Sequence, residues 1–481
     1  MGLSATDYIS ALPEIVLLGL ICAILLAAVS FKDKFRDLTL HYGSLLGIAA
    51  LAIITSFLFK GHRTIAFHGL FVQDGLGDVL NLFCYAITGA CLVYARPYLK
   101  DKGLFSGEFY VLMLFALMGS MVIIQAYSLL ILYLGVELLA LSMYALVALS
   151  RDDGTASEAA MKFFVLGAIS AGALLFGMSW IYGLTGTLNI GVLSAHLSGM
   201  NGVSVGLWVG LGFVVLAMAF EIGAVPFHMW LPDVYEGAPS SMVAFIGSVP
   251  KIAAFAFFMR LLAEGMGPLH GAWLWLLTAM AVASLGIGAV VGIAQGNIKR
   301  MLAYSTINHA GFILLGILAG NALGYRAAMF YVLAYAIMFI GAFGVIILLS
   351  RAGFEAEKLE DYRGLNERSP WFAAVMAMMM FSMAGVPPFI GFFAKVEVVK
   401  AVLHVHMLWL AVYAVVTAVI SGFYYLRIIK LMYFDRAEGE QRKLIAAPDL
   451  KLVLSVNGLA VLGLGIFPGG LLALCAIVFG A

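Results

Sequence analysis

Long apolar runs recur along the whole chain, and they leave few folds open. Residues 327–349, AAMFYVLAYAIMFIGAFGVIILL, contain no charged side chain at all. A helix needs about 20 such residues to cross a hydrocarbon core of ~30 Å. Dividing the chain into runs of that length predicts about fourteen transmembrane helices, near 12–29, 42–59, 76–95, 109–126, 129–150, 159–182, 205–235, 240–262, 273–294, 304–320, 327–349, 370–405, 408–433 and 452–478. A β-barrel is excluded, because the runs are continuous rather than alternating and exceed the ~9 to 11 residues of a barrel strand. Composition agrees: 63% of residues are hydrophobic and 11% charged, against a charged fraction of about 25% in soluble domains. The expectation is an all-α integral membrane protein whose partner along most of its surface is the lipid bilayer.

The net charge of +1 says nothing about partners and gives no reason to expect nucleic acid, but the placement of Lys and Arg predicts orientation. Taking alternate loops, one side collects Lys32, Lys34, Arg36, Arg96, Lys100, Lys102, Arg151, Lys299, Arg300, Arg351, Lys358, Arg363, Arg368, Lys430, Arg436, Arg442, Lys443 and Lys451. The other side has Lys60, Arg63, Arg260 and Arg326. The positive-inside rule puts the first set in the cytoplasm and both termini outside, which also requires an even number of spans. The first apolar run lacks a basic region and a small-residue cleavage site, so it reads as a retained span.

Cys22, Cys84, Cys91 and Cys475 all fall in apolar runs, without a CxxC or a nearby His pair, and read as small packing residues. No iron-sulfur or zinc spacing and no dinucleotide-binding glycine pattern is present. No cofactor is therefore expected in this chain.

Against this background, ionisable residues inside apolar runs stand out, because each uncompensated charge in hydrocarbon costs roughly 2.5 to 3.5 kcal/mol on insertion scales. The stretch EIGAVPFHMWLPDVYEGAPSSMVAFIGSVPKIAAFAFFMR at 221–260 places Glu221, Pro226, His228 and Lys251 in and between two spans. Pro226 removes a backbone donor and blocks a regular helix, and irregular backbone at membrane depth is tolerated only inside protein or beside a wet cavity. A broken helix beside buried charge reads as an ion path. Glu137 is a second carboxylate deep in an apolar run, and Lys162 lies near the inner end of the next span, where it can snorkel to the interface or face Glu137. His309 sits among Ser305, Thr306 and Asn308, and an imidazole both accepts and donates a proton near neutral pH. Asp74 and Asp78 lie at the outer end of the third span, where hydration or an exit route would each account for them. The segment 183–204 is expected as an ordered external loop with His196 on its surface, and the mixed charges of 351–370 as a solvated or partner-facing segment.

The grammar of the first break recurs. GAVPF at 223–227 is matched by AGVPPF at 384–389, followed by Lys395, while Glu397 and Lys400 are spaced to pair with each other. Two broken helices, each in a block of five spans, predict a repeated transporter architecture, and an odd number of spans per block makes the repeat inverted. The expected divisions are 1–108 for helices one to three, 109–262 and 263–433 for the two repeats, and 434–481 for a loop and the last helix.

These residues are also familiar as a set. PFHMWLPDVYEGAP followed by Lys251, then GNIKRMLAYSTINHAGF, then AGVPPFIGFFAK, resemble the antiporter-like membrane subunits of respiratory complex I, within a superfamily that includes multisubunit cation/proton antiporters and membrane-bound hydrogenases. Lysine at 395 resembles the N-type branch, where the M-type branch has glutamate, and the chain lacks the long lateral helix of the largest type. The resemblance implies that Glu137, Lys162, Lys251, His309 and Lys395 lie on a hydrophilic axis at mid-membrane. It implies neighbouring antiporter-like and other membrane subunits as partners, with FMN, iron-sulfur clusters and quinone in the assembled complex, in a bacterial inner membrane. The sequence departs from the pattern at Glu221, where the family has lysine, so two carboxylates replace the usual Glu/Lys couple.

The function expected on these grounds is proton translocation through two half-channels joined by the buried axis, driven by quinone reduction in other subunits. Burial penalises an ammonium and a nearby carboxylate favours it, so small movements would make Lys251 or Lys395 take up or release a proton. The alternatives are a subunit of a multisubunit cation/proton antiporter working without NADH, and a structural membrane scaffold whose charges only pair.

Overall fold

The computed structural model describes residues 4–31, 33–59, 61–200, 202–350, 353–436 and 447–480. Lys32, Lys60, Arg351, Arg442 and Lys443, and the side chain of Lys34, lie outside that description. A short α1 (Ala5–Ser10) leads into α2 (Leu12–Ser30) and α3 (Asp33–Leu58). A two-stranded antiparallel hairpin follows, β1 (Thr64–Ala66) with β2 (Phe71–Gln73). Then come α4 (Gly75–Asp101), α5 (Gly107–Gln125), α6 (Leu129–Val147), α7 (Gly154–Thr185), α8 (Ile190–Ser198) and α9 (Val205–Ile222). The middle of the chain is α10 (Trp230–Gly237), α11 (Ser240–Ile246), α12 (Val249–Phe258) continuing as a π-helical turn over Met259–Gly265, α13 (His270–Ile293), α14 (Ile298–Leu318) and α15 (Ala322–Leu349). The remainder is α16 (Leu365–Arg368), α17 (Pro370–Ala384), α18 (Ile390–His404), α19 (Leu408–Tyr433), α20 (Pro448–Ile466) and α21 (Gly469–Phe479).

Among the described residues thirteen helices are long and apolar enough to cross a membrane. The run at 370–405, expected as one span, is two shorter helices, α17 and α18, separated by the Gly385–Phe389 break. Among the described residues the regular structure is helical except for the hairpin, which the apolar pattern did not foretell because its strands are only three residues each. The 183–204 segment, expected as a loop, contains α8, capped by Asn189 accepting from the Val192 amide at 3.0 Å. His196 is exposed, as expected.

Local chemistry sets the helix starts. Ser106, Asp74, Asn297 and Asn321 each turn a side-chain oxygen onto a first-turn amide of α5, α4, α14 and α15. Lipid-facing and central helices then separate by burial. The Ser240–Gly265 unit is buried along its apolar stretch, and α14 and α15 nearly so, whereas in α2, α3, α7, α19 and α20 fewer than half of the residues in the apolar stretch are buried. That open surface is suited to lipid or other apolar partners. α13 and α14 pack with almost no gap: a Cβ on Gly288 would lie 2.5 Å from the Asn308 amide nitrogen. Such close backbone approach at small residues is how helices associate without a hydrophobic drive between them.

Charge divides the two ends. One end, here the charged-loop face, carries a linked set of ion pairs: Lys162 with Asp233, Arg300 with Asp233 and Glu236, and Lys299 with Glu357. The other, the hairpin face, carries Arg63 and Arg260 with Asp74 and Glu264.

Candidate functional site

Both helix breaks are built the same way. α9 ends at Gly223 (φ +82°), whose amide turns back to the carbonyls of Ala219 (3.0 Å) and Phe220 (3.1 Å) while the Ala224 amide reaches Ala219 at 2.8 Å. α17 ends at Gly385 (φ +89°), whose amide reaches Phe381 (3.1 Å) and Ser382 (3.0 Å) while the Val386 amide reaches Phe381 at 3.0 Å. Glycine takes this left-handed turn without the steric cost other residues meet. In both breaks the X–Pro bond that follows, Val225–Pro226 or Pro387–Pro388, is cis.

Each break exposes the carbonyl end of a helix, which carries the equivalent of about half a negative charge. A buried lysine meets each one. Lys251 Nζ donates to the Glu221 carbonyl at 2.8 Å. Lys395 Nζ donates to the Met383 and Ala384 carbonyls, both at 2.9 Å. Glu221 and Met383 stand at the same position, two residues before the terminating glycine. Each ammonium also lies over an aromatic ring, Lys251 at 4.9 Å from the Trp230 centroid and Lys395 at 5.2 Å from that of Phe312. Ring faces and helix C-termini both favour a cation.

The lysines arrive by different routes. Lys395 is on α18, the continuation of its own broken helix. Lys251 comes from α12, which begins after a kink where Ser248 Oγ bonds the Ala244 and Phe245 carbonyls and Pro250 occupies the first turn. Trp230 is fixed by its indole nitrogen donating to the Phe220 carbonyl at 3.1 Å and by stacking on Phe163 at 4.4 Å. Glu221 and Lys251 share a tight, mostly enclosed cavity with Tyr144, Phe163, Trp230 and Pro250. Glu137 is half-buried rather than fully buried as expected; the Tyr133 hydroxyl lies near it, and it lies within electrostatic range of Glu221.

His309 sits between the two breaks on α14, 1% exposed, with both ring nitrogens engaged: Nδ1 with the Tyr331 hydroxyl at 2.8 Å, Nε2 with that of Tyr425 at 3.2 Å. Tyr425 continues to Ser305 at 2.5 Å, and the Tyr331 ring stacks on Phe312, the ring beneath Lys395. Toward the first break, Thr306 bonds the Tyr335 hydroxyl at 2.8 Å, and the Tyr235 hydroxyl of α10 lies beside both without completing a bond. Hydroxyl and imidazole groups in such a file can each accept and donate. Sequence reading missed the four tyrosines, because tyrosine in an apolar run is ordinary packing and only the fold converges these on His309.

Lys162 is a correction. It does not join the buried file or face Glu137. Its side chain is 45% exposed at the charged-loop face, bonded to Glu158 at 2.9 Å and Asp233 at 2.8 Å. The cause is its place in the third turn of α7, close enough to the end to reach water. His228 is half-buried beside the first break, and its Nδ1 has no hydrogen-bond partner. Glu397 pairs with Lys400 at 2.7 Å, as the spacing predicted, and with Arg326 at 3.5 Å.

Two charged features frame the file. A cleft of about 750 Å³ at the charged-loop face is lined by Glu236, Asn297, Glu355, Glu357, Lys358 and Arg427 among others. Asp361, also on this cleft, has its carboxyl raised above the ordinary range by burial, against the Lys358 amide bond that favours the anion. At the hairpin face Arg260, fully buried, holds Asp74 through both guanidinium ends at 2.6 and 2.7 Å and Glu264 at 2.7 Å. The charge pattern of the sequence counted Arg260 only as an outer residue. Among the described residues no group of three or more His, Cys, Asp or Glu side chains is placed to hold a metal ion.

Residues 126–421 match the family described as NADH:quinone oxidoreductase/Mrp antiporter, transmembrane. The chain belongs to this family. It is 54% identical over 476 residues to NADH-quinone oxidoreductase subunit N of Thioalkalivibrio sulfidiphilus, covering 98% of each chain. It is 51% identical over 481 residues to the subunit N of Thiobacillus denitrificans, covering 100% of this chain and 99% of that one. Among solved structures, a chain of respiratory complex I from Thermus thermophilus with bound aureothin superposes with a TM-score of 0.82 at 29% identity, over 98% of this chain and 100% of that one. The matched residues 126–421 include both breaks described above.

Proposed function

We propose that this chain is an N-type proton-translocating membrane subunit of a bacterial NADH-quinone oxidoreductase. The observation that carries the reading is the pair of buried lysines, Lys251 and Lys395, capping the open carbonyl ends of two broken helices at the same register. Each ammonium is held by carbonyl oxygens and a ring face and opposed by burial, so a small shift of either helix changes how well the proton is held. Lys251 Nζ and Lys395 Nζ are the proton carriers; His309 passes protons between the tyrosine hydroxyls on either side of it. Glu221 and Glu137 bias the first carrier, and two such neighbouring carboxylates do not readily ionise together. Lys162 serves at the charged-loop face, where protons enter.

In this reading the chain comprises N-terminal helices over 1–108, inverted five-helix repeats over 109–262 and 263–433, and a closing segment over 434–481, crossing the membrane fourteen times with α17–α18 as one broken span. Both termini lie on the outer side of a bacterial inner membrane. Electron transfer through FMN, iron-sulfur clusters and quinone belongs to other subunits, and the lateral partners are further antiporter-like chains.

NADH-driven acidification of inverted membrane vesicles carrying Lys251→Met tests this, with assembly checked by native electrophoresis and NADH oxidation measured alongside. Loss of acidification in an assembled complex is the expected result. Normal acidification per electron would overturn the role of Lys251 and favour a scaffold. Absence of any NADH-driven signal in the unmutated protein, with electron supply intact, would favour an antiporter that works without NADH.

A further inference from the structure

The N-terminal helices hold polar groups that the lysine-histidine file does not use. Glu14, in the first turn of α2, is 8% exposed, and neither of its carboxylate oxygens has a hydrogen-bond partner. Asp78, 3% exposed on α4, lies within its electrostatic range. Asn81, one turn further along α4, is 0% exposed, and both its amide oxygen and its amide nitrogen are unpartnered. Tyr85, one more turn along, lies within range of both Glu14 and Asp78 and bonds Thr55 of α3 at 3.4 Å. Positions 78, 81 and 85 share one helix face, so Asn81 lies between the two residues of α4 that are within electrostatic range of Glu14.

We propose that Glu14, Asp78 and Asn81 form a hydrated proton-binding site near the hairpin face, separate from the lysine-histidine file. A buried amide with neither end bonded and a carboxyl with neither oxygen bonded are each costly, and native proteins satisfy such groups with bound water. Water bridging Asn81 to the two carboxyls completes both. The other groups facing the pair are Tyr85, Gln73 beside Asp78, and the Asp74–Arg260 pair; Arg260 is already committed to Asp74 and Glu264, and no cation is bonded to Glu14. Two carboxyls so placed are accommodated with a proton between them. The helix N-terminus at Glu14 favours an anion by itself, but it leaves Asn81 unexplained. Asp78, next to Gln73 of β2, connects the site to the hairpin face.

The test uses the intact complex and a hydrophobic carbodiimide, dicyclohexylcarbodiimide. This reagent reacts with a protonated carboxyl: the acid proton goes to a carbodiimide nitrogen as the carboxyl oxygen bonds its central carbon. Peptide mass spectrometry of the unmutated complex is expected to find the adduct on Glu14 or Asp78, in a yield that falls as pH rises. Glu14→Gln removes the adduct from residues 12–30, and Asp78→Asn moves the pH at which Glu14 labelling falls. No adduct at either residue across the pH range would overturn the proposal, whatever the fate of the variants. Protection by sodium ions at constant pH would overturn it in favour of a cation site. Because the readout is labelling and not acidification, it stands or falls apart from the role of Lys251.

Discussion

The two helix breaks present the same acceptor to a lysine, yet they differ in what the lysine ties together. At the second break Lys395 folds back on the helix it continues, so the cap is internal to α17 and α18. At the first, Lys251 reaches across from α12, so the cap is a joint between two helices, with Glu221 in the same cavity. The acceptor is a backbone carbonyl in each case. The side chain at that position is therefore free to differ, glutamate in one break and methionine in the other. The comparison shows that geometry, not the carboxylate, recruits the lysine, and that the carboxylate is an addition peculiar to the first break.

That distinction predicts a ranking. Lys251→Met and Lys395→Met should each remove nearly all NADH-driven acidification per electron in assembled complexes. Glu221→Met, which copies the second break into the first, keeps the carbonyl and should lower acidification only several-fold. Vesicle acidification for the three variants side by side decides it. If Glu221→Met is as severe as Lys251→Met, the carboxylate and not the capped helix end is the operative group.

The glycines sharpen the same comparison through stability. A Cβ in the left-handed region costs roughly 1–2 kcal/mol. At Gly385 the new atom would lie 2.9 Å from Lys395 Cδ, on a flexible side chain, whereas at Gly223 it would lie 2.0 Å from Leu231 Cδ1, on a buried one. Gly223→Ala should therefore lower the thermal stability of the assembled complex more than Gly385→Ala, as followed by native electrophoresis after graded heating. Equal loss would mean that Leu231 moves aside.

How much of this was legible beforehand follows from what each signal depends on. Apolar length marked the spans, and a proline with a glycine before it marked both breaks, because those residues act on their own backbone. Lys251, Glu221, His309 and Lys395 stood out because charge inside an apolar run is costly wherever it lies. What those side chains touch depends on helices far away in the chain. Tyr331 and Tyr425 reach His309 only through packing of α14 with α15 and α19, and Asp78 comes within electrostatic range of Glu14 only in the assembled fold. For Lys162 the sequence left two readings open, and its place near the end of the apolar run let the flexible side chain take the surface rather than the buried axis that the resemblance implied.

Lys162 supplies a weaker test of the contrast between buried and exposed lysines. Exposed ion pairs contribute about 0–1 kcal/mol. Lys162→Met, which leaves Arg300 on Asp233 at 2.9 Å, should preserve assembly and most acidification, with a loss that grows at low ionic strength. A loss as complete as that of Lys251→Met, measured in the same vesicles, would return Lys162 to the buried path.

The smallest expected effect lies at the edge of the hairpin face, outside the membrane spans. Asp7 of α1 accepts the Ser4 amide at 2.7 Å and, through its other oxygen, the Phe67 amide at 2.7 Å, tying the N-terminal helix to the hairpin segment. The bond to the Ser4 amide, followed by that to Phe67, holds the Asp7 carboxyl below its ordinary value. A carboxyl depressed in the folded state contributes above the unfolded value, about 3.9, and that contribution is lost as pH falls through the lower, folded one. Protection of the Phe67 amide from hydrogen exchange, corrected for the intrinsic pH dependence, should thus be constant at neutral pH and fall only below about 4. In Asp7→Ala it should be low at every pH, while the amides of α4 keep their protection, because the tether joins only α1 to the hairpin and carries no part of the lysine-capped breaks.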